Sequence, residues 1–107
     1  MIESIVNKYL SESVSKEIYD QLGGNKFISM TGAKNLISSD KSLSMRLPKT
    51  KNGINYVKIS LNSSDTYDLE FGRVSGLEYK VKKTVKDVYV NNLIHVFEKE
   101  TGLYTSL

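Results

Sequence analysis

The stretch LSMRLPKTKNGINYVKISLNSSDTYDLEFGRVSGLEYKVKKTV, residues 43–85, decides the fold. Within it, apolar residues recur at every second position. On both sides of it they recur every three to four. Period two marks half-buried strands, and period 3.6 marks amphipathic helices. Leu43, Met45 and Leu47 alternate with Ser44 and Arg46, so residues 43–47 read as a strand. Pro48, the only proline, stops it because it has no amide hydrogen for a ladder. Asn52-Gly53 is a strong turn signal. Strand 54–62 then places Val57, Ile59 and Leu61 on one face and Tyr56, Lys58 and Ser60 on the other. Ser63-Ser64-Asp65 turns the chain into strand 66–74, with Tyr67, Leu69 and Phe71 inward and Asp68 and Glu70 outward. Ser75-Gly76 leads to strand 77–85, whose alternation places Leu77, Tyr79 and Val81 inward and Glu78, Lys80 and Lys82 outward. Turns this short join antiparallel neighbours, so a meander is expected.

Working outward, Ile2, Ile5, Val6, Tyr9 and Leu10 follow one helical face, as do Val14, Ile18 and Leu22. Ser11-Glu12-Ser13 interrupts the pattern, and Gly23-Gly24 ends it, so residues 2–22 read as two short helices or one bent helix. Lys26–Thr31 (KFISMT) is β-like, residues 32–35 read as a turn, and Asn35–Ser38 as a short strand. At the other end, Asp87 can cap a helix carrying Tyr89, Leu93, Val96 and Phe97 on one face. Gly102 closes that helix, and Leu103, Tyr104 and Leu107 form an apolar tail expected to tuck onto the core. The expectation is a single α+β domain over residues 1–107. An antiparallel meander of about four to six strands would be covered by N-terminal and C-terminal helices. Its expected core is Val57, Ile59, Leu61, Leu69, Phe71, Tyr79, Val81, Leu93, Val96 and Phe97.

Composition narrows the functional classes. The chain has 107 residues, 39% hydrophobic and 25% charged, which suits one globular core. It has no cysteine, so disulfides, thiolate metal sites and cysteine nucleophiles are excluded. No basic leader precedes an apolar run and no stretch is long enough for a membrane span, so a soluble intracellular protein without membrane partners is expected. The net charge of +3 is unevenly spread. Residues 41–86 hold ten basic and four acidic side chains, giving +6, whereas residues 1–40 give −1 and residues 87–107 give −2.

Three groups could carry chemistry. His95, the only histidine, falls on the polar side of the last helix with no acid or nucleophile beside it, and reads as a solvated surface residue. Asp65, Asp68 and Glu70 could support a Mg²⁺-dependent nuclease, but cross-strand ion pairs with Lys58, Lys80 and Lys82 explain them more simply. The basic group Arg46, Lys49, Lys51, Lys58, Lys80, Lys82, Lys83 and Lys86, with Tyr56, is the best candidate. Basic side chains beside an exposed aromatic on a sheet can hold phosphates and stack a base. No catalytic residue, cofactor or metal site is expected.

The runs QLGGNKFISMTGAKN (21–35), LSMRLPK (43–49), VKISLNSSDTYDLEFGRV (57–74) and FEKETGLYTSL (97–107) together resemble short hypothetical proteins of phages, prophages and other mobile elements. The resemblance spans residues 17–107 and carries over no catalytic residues. It implies a bacterial cytoplasm and a small accessory protein. The expected function is a non-enzymatic binding module, an anti-CRISPR-like inhibitor of a host nucleic-acid-handling complex. The alternative is direct nucleic-acid binding through the basic region 41–86. A weak homodimer is also expected, through strand 43–47 or the apolar tail, because lysines guard strand 77–85 against self-pairing.

Overall fold

The computed structural model describes residues 6–48 and 50–106. Helix α1 (Val6–Leu22) and helix α2 (Asn25–Thr31) lead into five strands: β1 (Lys34–Ser39), β2 (Ser42–Arg46), β3 (Tyr56–Leu61), β4 (Tyr67–Ser75) and β5 (Glu78–Val88). A 3₁₀ turn, Lys51–Gly53, precedes β3, and helix α3 (Val90–Thr101) follows β5. The sheet is an antiparallel meander in the order β1-β2-β3-β4-β5. The expected α+β meander is therefore the fold, with five strands and helices from both ends of the chain. Among the described residues, no helix is long and apolar enough to cross a membrane.

One face of the sheet carries the core. Leu43 and Met45 of β2, Val57 and Ile59 of β3, and Tyr67, Leu69 and Phe71 of β4 are buried there against Ile18, Leu22, Phe27, Leu93 and Phe97 of the helices. Leu61 and Val96 pack at its margin, partly buried. Helix α1 lies over β1 and β2, and α3 lies over β4 and β5. The Tyr67 hydroxyl donates to Gln21 Oε1 at 2.6 Å, tying β4 to α1. Asn55 extends the β3–β4 pairing beyond β3: its side chain donates to Val74 O at 3.0 Å and accepts from Val74 N at 2.7 Å.

The helices differ from the sequence reading in three ways. First, α1 is one helix running through Ser11–Ser13; the part of that expectation at residues 2–5 lies outside the described residues. Second, Lys26–Thr31 is helical, not β-like. Six residues are too few for periodicity to separate the two states. What decides is the bracket around them: Gly24 enters with φ 64° and Gly32 leaves in the left-handed region with φ 75°. These are angles that glycine adopts without the Cβ penalty. Phe27 and Thr31, four apart, then face the core together. Third, Asp87 does not cap α3; Tyr89 occupies the N-cap without a side-chain bond.

The ends of α2 and α3 repeat one device. Residues 27–33 read FISMTGA and residues 97–103 read FEKETGL. In each, the threonine hydroxyl donates to the phenylalanine carbonyl at 2.8 Å, from Thr31 to Phe27 and from Thr101 to Phe97. It then accepts from the amide two residues on, Ala33 at 3.2 Å and Leu103 at 3.1 Å. Both glycine amides close on the helix, Gly32 on Ile28 O and Gly102 on Glu98 O. The two phenylalanines meet edge to face with ring centroids 5.1 Å apart. After this cap, Leu103 packs on the core, and Thr105 is clamped by Glu98 Oε2 through its amide (2.8 Å) and hydroxyl (3.1 Å). Tyr104 instead faces water, and Leu107 lies outside the described residues.

Strand β5 corrects the expected core. Leu77, Tyr79 and Val81 are exposed, not inward. The cause is a bulge. Phe71 pairs with Lys83 while Gly72 pairs with Val81, so Lys82 is an extra residue. One extra residue exchanges the faces of everything beyond it. Val85 thus stays on the core side, whereas Val81 and Tyr79 lie on the opposite face. Strand 43–47 is also not an edge: β2 is paired on both sides, and the free edges are β1 and β5.

The Phe27–Phe97 contact gives a direct test. Phe27→Leu and Phe97→Leu should each cost about 1–1.5 kcal/mol in urea unfolding, as roughly volume-conserving core changes. The double variant should fall short of the sum by about 0.5–1.5 kcal/mol, the usual worth of an edge-to-face pair. Strict additivity would show that the two rings do not support one another.

Candidate binding face on the open side of the sheet

Among the described residues, no helix covers the second face of the sheet. Register places its side chains in rows across the strands. The first row runs Lys34, Arg46, Tyr56, Gly72, Val81, and the second Ile37, Ser44, Lys58, Glu70, Thr84. A third holds Ser39, Ser42, Ser60 and Asp68.

At the centre of the first row sits an aromatic pair. The Tyr56 and Tyr79 rings meet edge to face at 5.1 Å. Tyr79 lies directly over Gly72: a Cβ on that glycine would stand 2.6 Å from the Tyr79 hydroxyl oxygen and 2.7 Å from its Cζ. Gly72 is therefore a seat for the ring, and no larger residue fits beneath it. The Tyr79 hydroxyl donates to Glu70 Oε2 at 2.7 Å. Burial, followed by the bond to the Glu70 carboxylate and its charge, pushes that hydroxyl above the ordinary phenol range, so it remains a donor. Arg46 lies across the strand from Tyr56, and its Nε is buried without a hydrogen-bond partner. A buried donor of this kind is costly to leave unpaired.

The carboxylates are held by neutral donors, not by the expected lysine ion pairs. Asn62 Nδ2 donates to Asp68 Oδ1 at 2.9 Å and to Asp87 Oδ1 at 3.2 Å, and the Asp87 amide donates to Asp68 Oδ1 at 3.1 Å. This knot sits at a second bulge, where Lys86 and Asp87 together oppose Asp68 and Asp87 has φ 56°. The Asp87 amide first, and Asn62 second, hold the Asp68 carboxyl below its usual range, with Lys86 adding to the effect. Lys58 opposes Glu70 in register, yet no ion pair joins them among the described residues. Asp65 stands apart in the β3–β4 turn, exposed. Among the described residues no group of three or more His, Asp or Glu could hold a metal ion. His95 is exposed on α3.

The basic candidates divide between two surfaces. Arg46 and Lys58 share the open face with Tyr56, and Lys86 comes near Asp68 on that side. Lys82 and Lys83 line a recess of about 410 Å³ on the helical side with Asn52, Ile54 and Glu100. Lys80 pairs with Arg73, whose guanidinium donates to Gly53 O at 3.2 Å beside that recess. Lys51 belongs to the 3₁₀ turn, and Lys49 lies outside the described residues. Two members of the open face, Lys34 and Tyr79, were not among the sequence candidates. Lys34 could have been found from the Asn35–Ser38 strand; Tyr79 is concealed by the bulge. Comparison with protein-family models, with curated proteins and with solved structures finds no match.

Two predictions arise here. Gly72→Ala should expel Tyr79 from its seat at a cost of about 1–3 kcal/mol, typical of overpacking. NMR would register the loss of mutual ring-current shifts between Tyr56 and Tyr79; unchanged shifts would refute the seat. For Asp68, a depressed folded-state pKa means stability present above the ordinary carboxylate value and lost as pH falls through the lowered one. The melting temperature of the wild type should therefore drop below about pH 4, and that of Asp68→Asn should drop less steeply over the same window. Parallel profiles would remove Asp68 as a source of acid sensitivity.

Proposed function

We propose that this protein is a non-enzymatic binding module whose open sheet face takes single-stranded nucleic acid. The observation that supports this most is the Tyr56–Tyr79 pair standing on an uncovered sheet beside Arg46, Lys58 and Lys34. Aromatic rings on a sheet stack bases whatever their identity, and flanking cations track the phosphates. Arg46, across the strand from Tyr56, adds a guanidinium suited to an anionic acceptor. Glu70 is already occupied by Tyr79, so it opposes the ligand less than a free carboxylate would.

The second reading is inhibition of a host nucleic-acid-handling complex by contact with one of its proteins. It draws on the resemblance to mobile-element proteins and on the same face, since tyrosine and arginine are the residues that most often dominate protein interfaces. A bacterial cytoplasmic setting belongs to this reading.

Fluorescence anisotropy with labelled single strands at low salt separates the two. Tyr79→Ala and Tyr56→Ala should each weaken binding by about 1–3 kcal/mol, the worth of one stacked base. Arg46→Ala with Lys58→Ala should reduce the slope of log affinity against log salt by about 1.4, since each phosphate contact on a single strand contributes about 0.7. Lys82→Ala with Lys83→Ala, on the helical side, should change neither. An absence of binding to single strands at low salt would end the first reading. Recovery of a protein partner from nuclease-treated bacterial lysate, lost in Tyr79→Ala, would then support the second.

A further inference from the structure

The two free edges of the sheet are unlike. Strand β5 carries Lys80, Lys82, Lys83 and Lys86, and pairing it with its own copy would set lysines against lysines. Strand β1 is exposed at all six residues and bears one charge, Lys34, at its first position. Its middle offers Leu36 and Ile37, the latter 62% exposed. No proline interrupts it. A bulge between Lys34 and Ile37, with Asn35 at φ 56°, confines regular pairing to the residues beyond it.

The backbone polarity of that edge follows from the ladder. Leu61 N donates to Lys41 O and Leu47 N to Asn55 O, so the odd-numbered residues of β2 bond to β3. The even-numbered residues of β2 therefore turn to β1, where Ser44 pairs with Ile37 and Ser42 with Ser39. Along a strand the amide and carbonyl alternate sides. The N–H and C=O of Leu36 and Ser38 thus point out from the free edge.

We propose that β1 pairs with the β1 of a second copy of this chain, antiparallel, about a twofold axis perpendicular to the sheet and passing beside Ile37. In this register Leu36 of each copy faces Ser38 of the other, and all four outward backbone groups of each copy find partners. Ile37 meets Ile37 on the open face as a close, non-hydrogen-bonded pair. The bulge draws Lys34 one position inward, to the level of Ser39 of the other copy, where a lysine side chain spans to the adjacent Asp40, twice, so the strand is complementary to itself in charge as well as in hydrogen bonding. The interface is isologous and closes at two copies. Both helical layers fall on one side of a ten-stranded sheet, and both Tyr56–Tyr79 patches fall on the other. The pairing does not rest on the nature of the ligand.

Light scattering across a micromolar concentration series tests it. The wild type should shift from monomer to dimer mass as concentration rises. Ile37→Lys, at a position exposed in the monomer, should abolish the dimer without altering the melting temperature measured at the lowest concentration. Lys34→Asp and Asp40→Lys should each weaken the dimer, and their combination should restore it. Ile37→Cys, in a chain with no other cysteine, should give a covalent dimer on mild oxidation, as the close pair falls within disulfide range. A monomer at every concentration, a dimer indifferent to Ile37→Lys, or growth beyond two copies would each overturn the proposal.

Discussion

The edge-to-face contact of Phe27 with Phe97 is where the two ends of the chain meet. Each ring projects from a helix whose last turn is fastened by a threonine hydroxyl and a left-handed glycine. The rings are thus held in place from below by their own helices. That contact sets α1–α2 and α3 side by side over one face of the sheet. It follows that the helical cover is used up on that face: α1 spans β1 and β2, α3 spans β4 and β5, and the described residues hold no further element for the other side. The uncovered face is a consequence of how the core is closed.

Charge on that face is arranged with the same economy. Asp68 is engaged by an amide and an asparagine, and Glu70 by a phenol. None of these donors is cationic. Among the described residues, no ion pair consumes Arg46 or Lys58, so their charge stays with the open face. The bond to Glu70 Oε2 keeps the Tyr79 ring pinned by its hydroxyl over Gly72.

Most of the sheet was legible in the sequence, because each strand within residues 43–75 alternates cleanly and the turns between them carry glycine, asparagine or serine. Helix α3 was legible from Leu93, Val96 and Phe97, although Tyr89, read on the same face, is its exposed N-cap residue. Helix α2 was not, since a β-branched, aromatic hexapeptide has no period of its own and takes its state from the glycines that bracket it. The first half of β5 was misassigned for a different reason. Its alternation is real, but Lys82 adds one residue that no pattern marks, and the apolar side chains before it change faces. That single insertion moved Tyr79 out of the expected core and into the candidate site. It also sent Lys82 and Lys83 to the helical side, dividing a basic group that looks continuous in sequence. Tyr56, Arg46 and Lys58 were placed correctly because the β2–β3 and β3–β4 pairings that hold them run without a bulge.

The strictly sequential order of the strands bears on how the molecule assembles. Every strand pairs with its neighbour in the chain, so the sheet can zip hairpin by hairpin at small loop-closure cost. The helical layer cannot form this way, because α2 and α3 are separated by the whole sheet. Helix α1 and its neighbour α2 cover the β1–β2 side from just upstream, whereas the β4–β5 side waits on α3, so Phe97 brings the last sequence-distant piece of the lid to a face already defined by its strands.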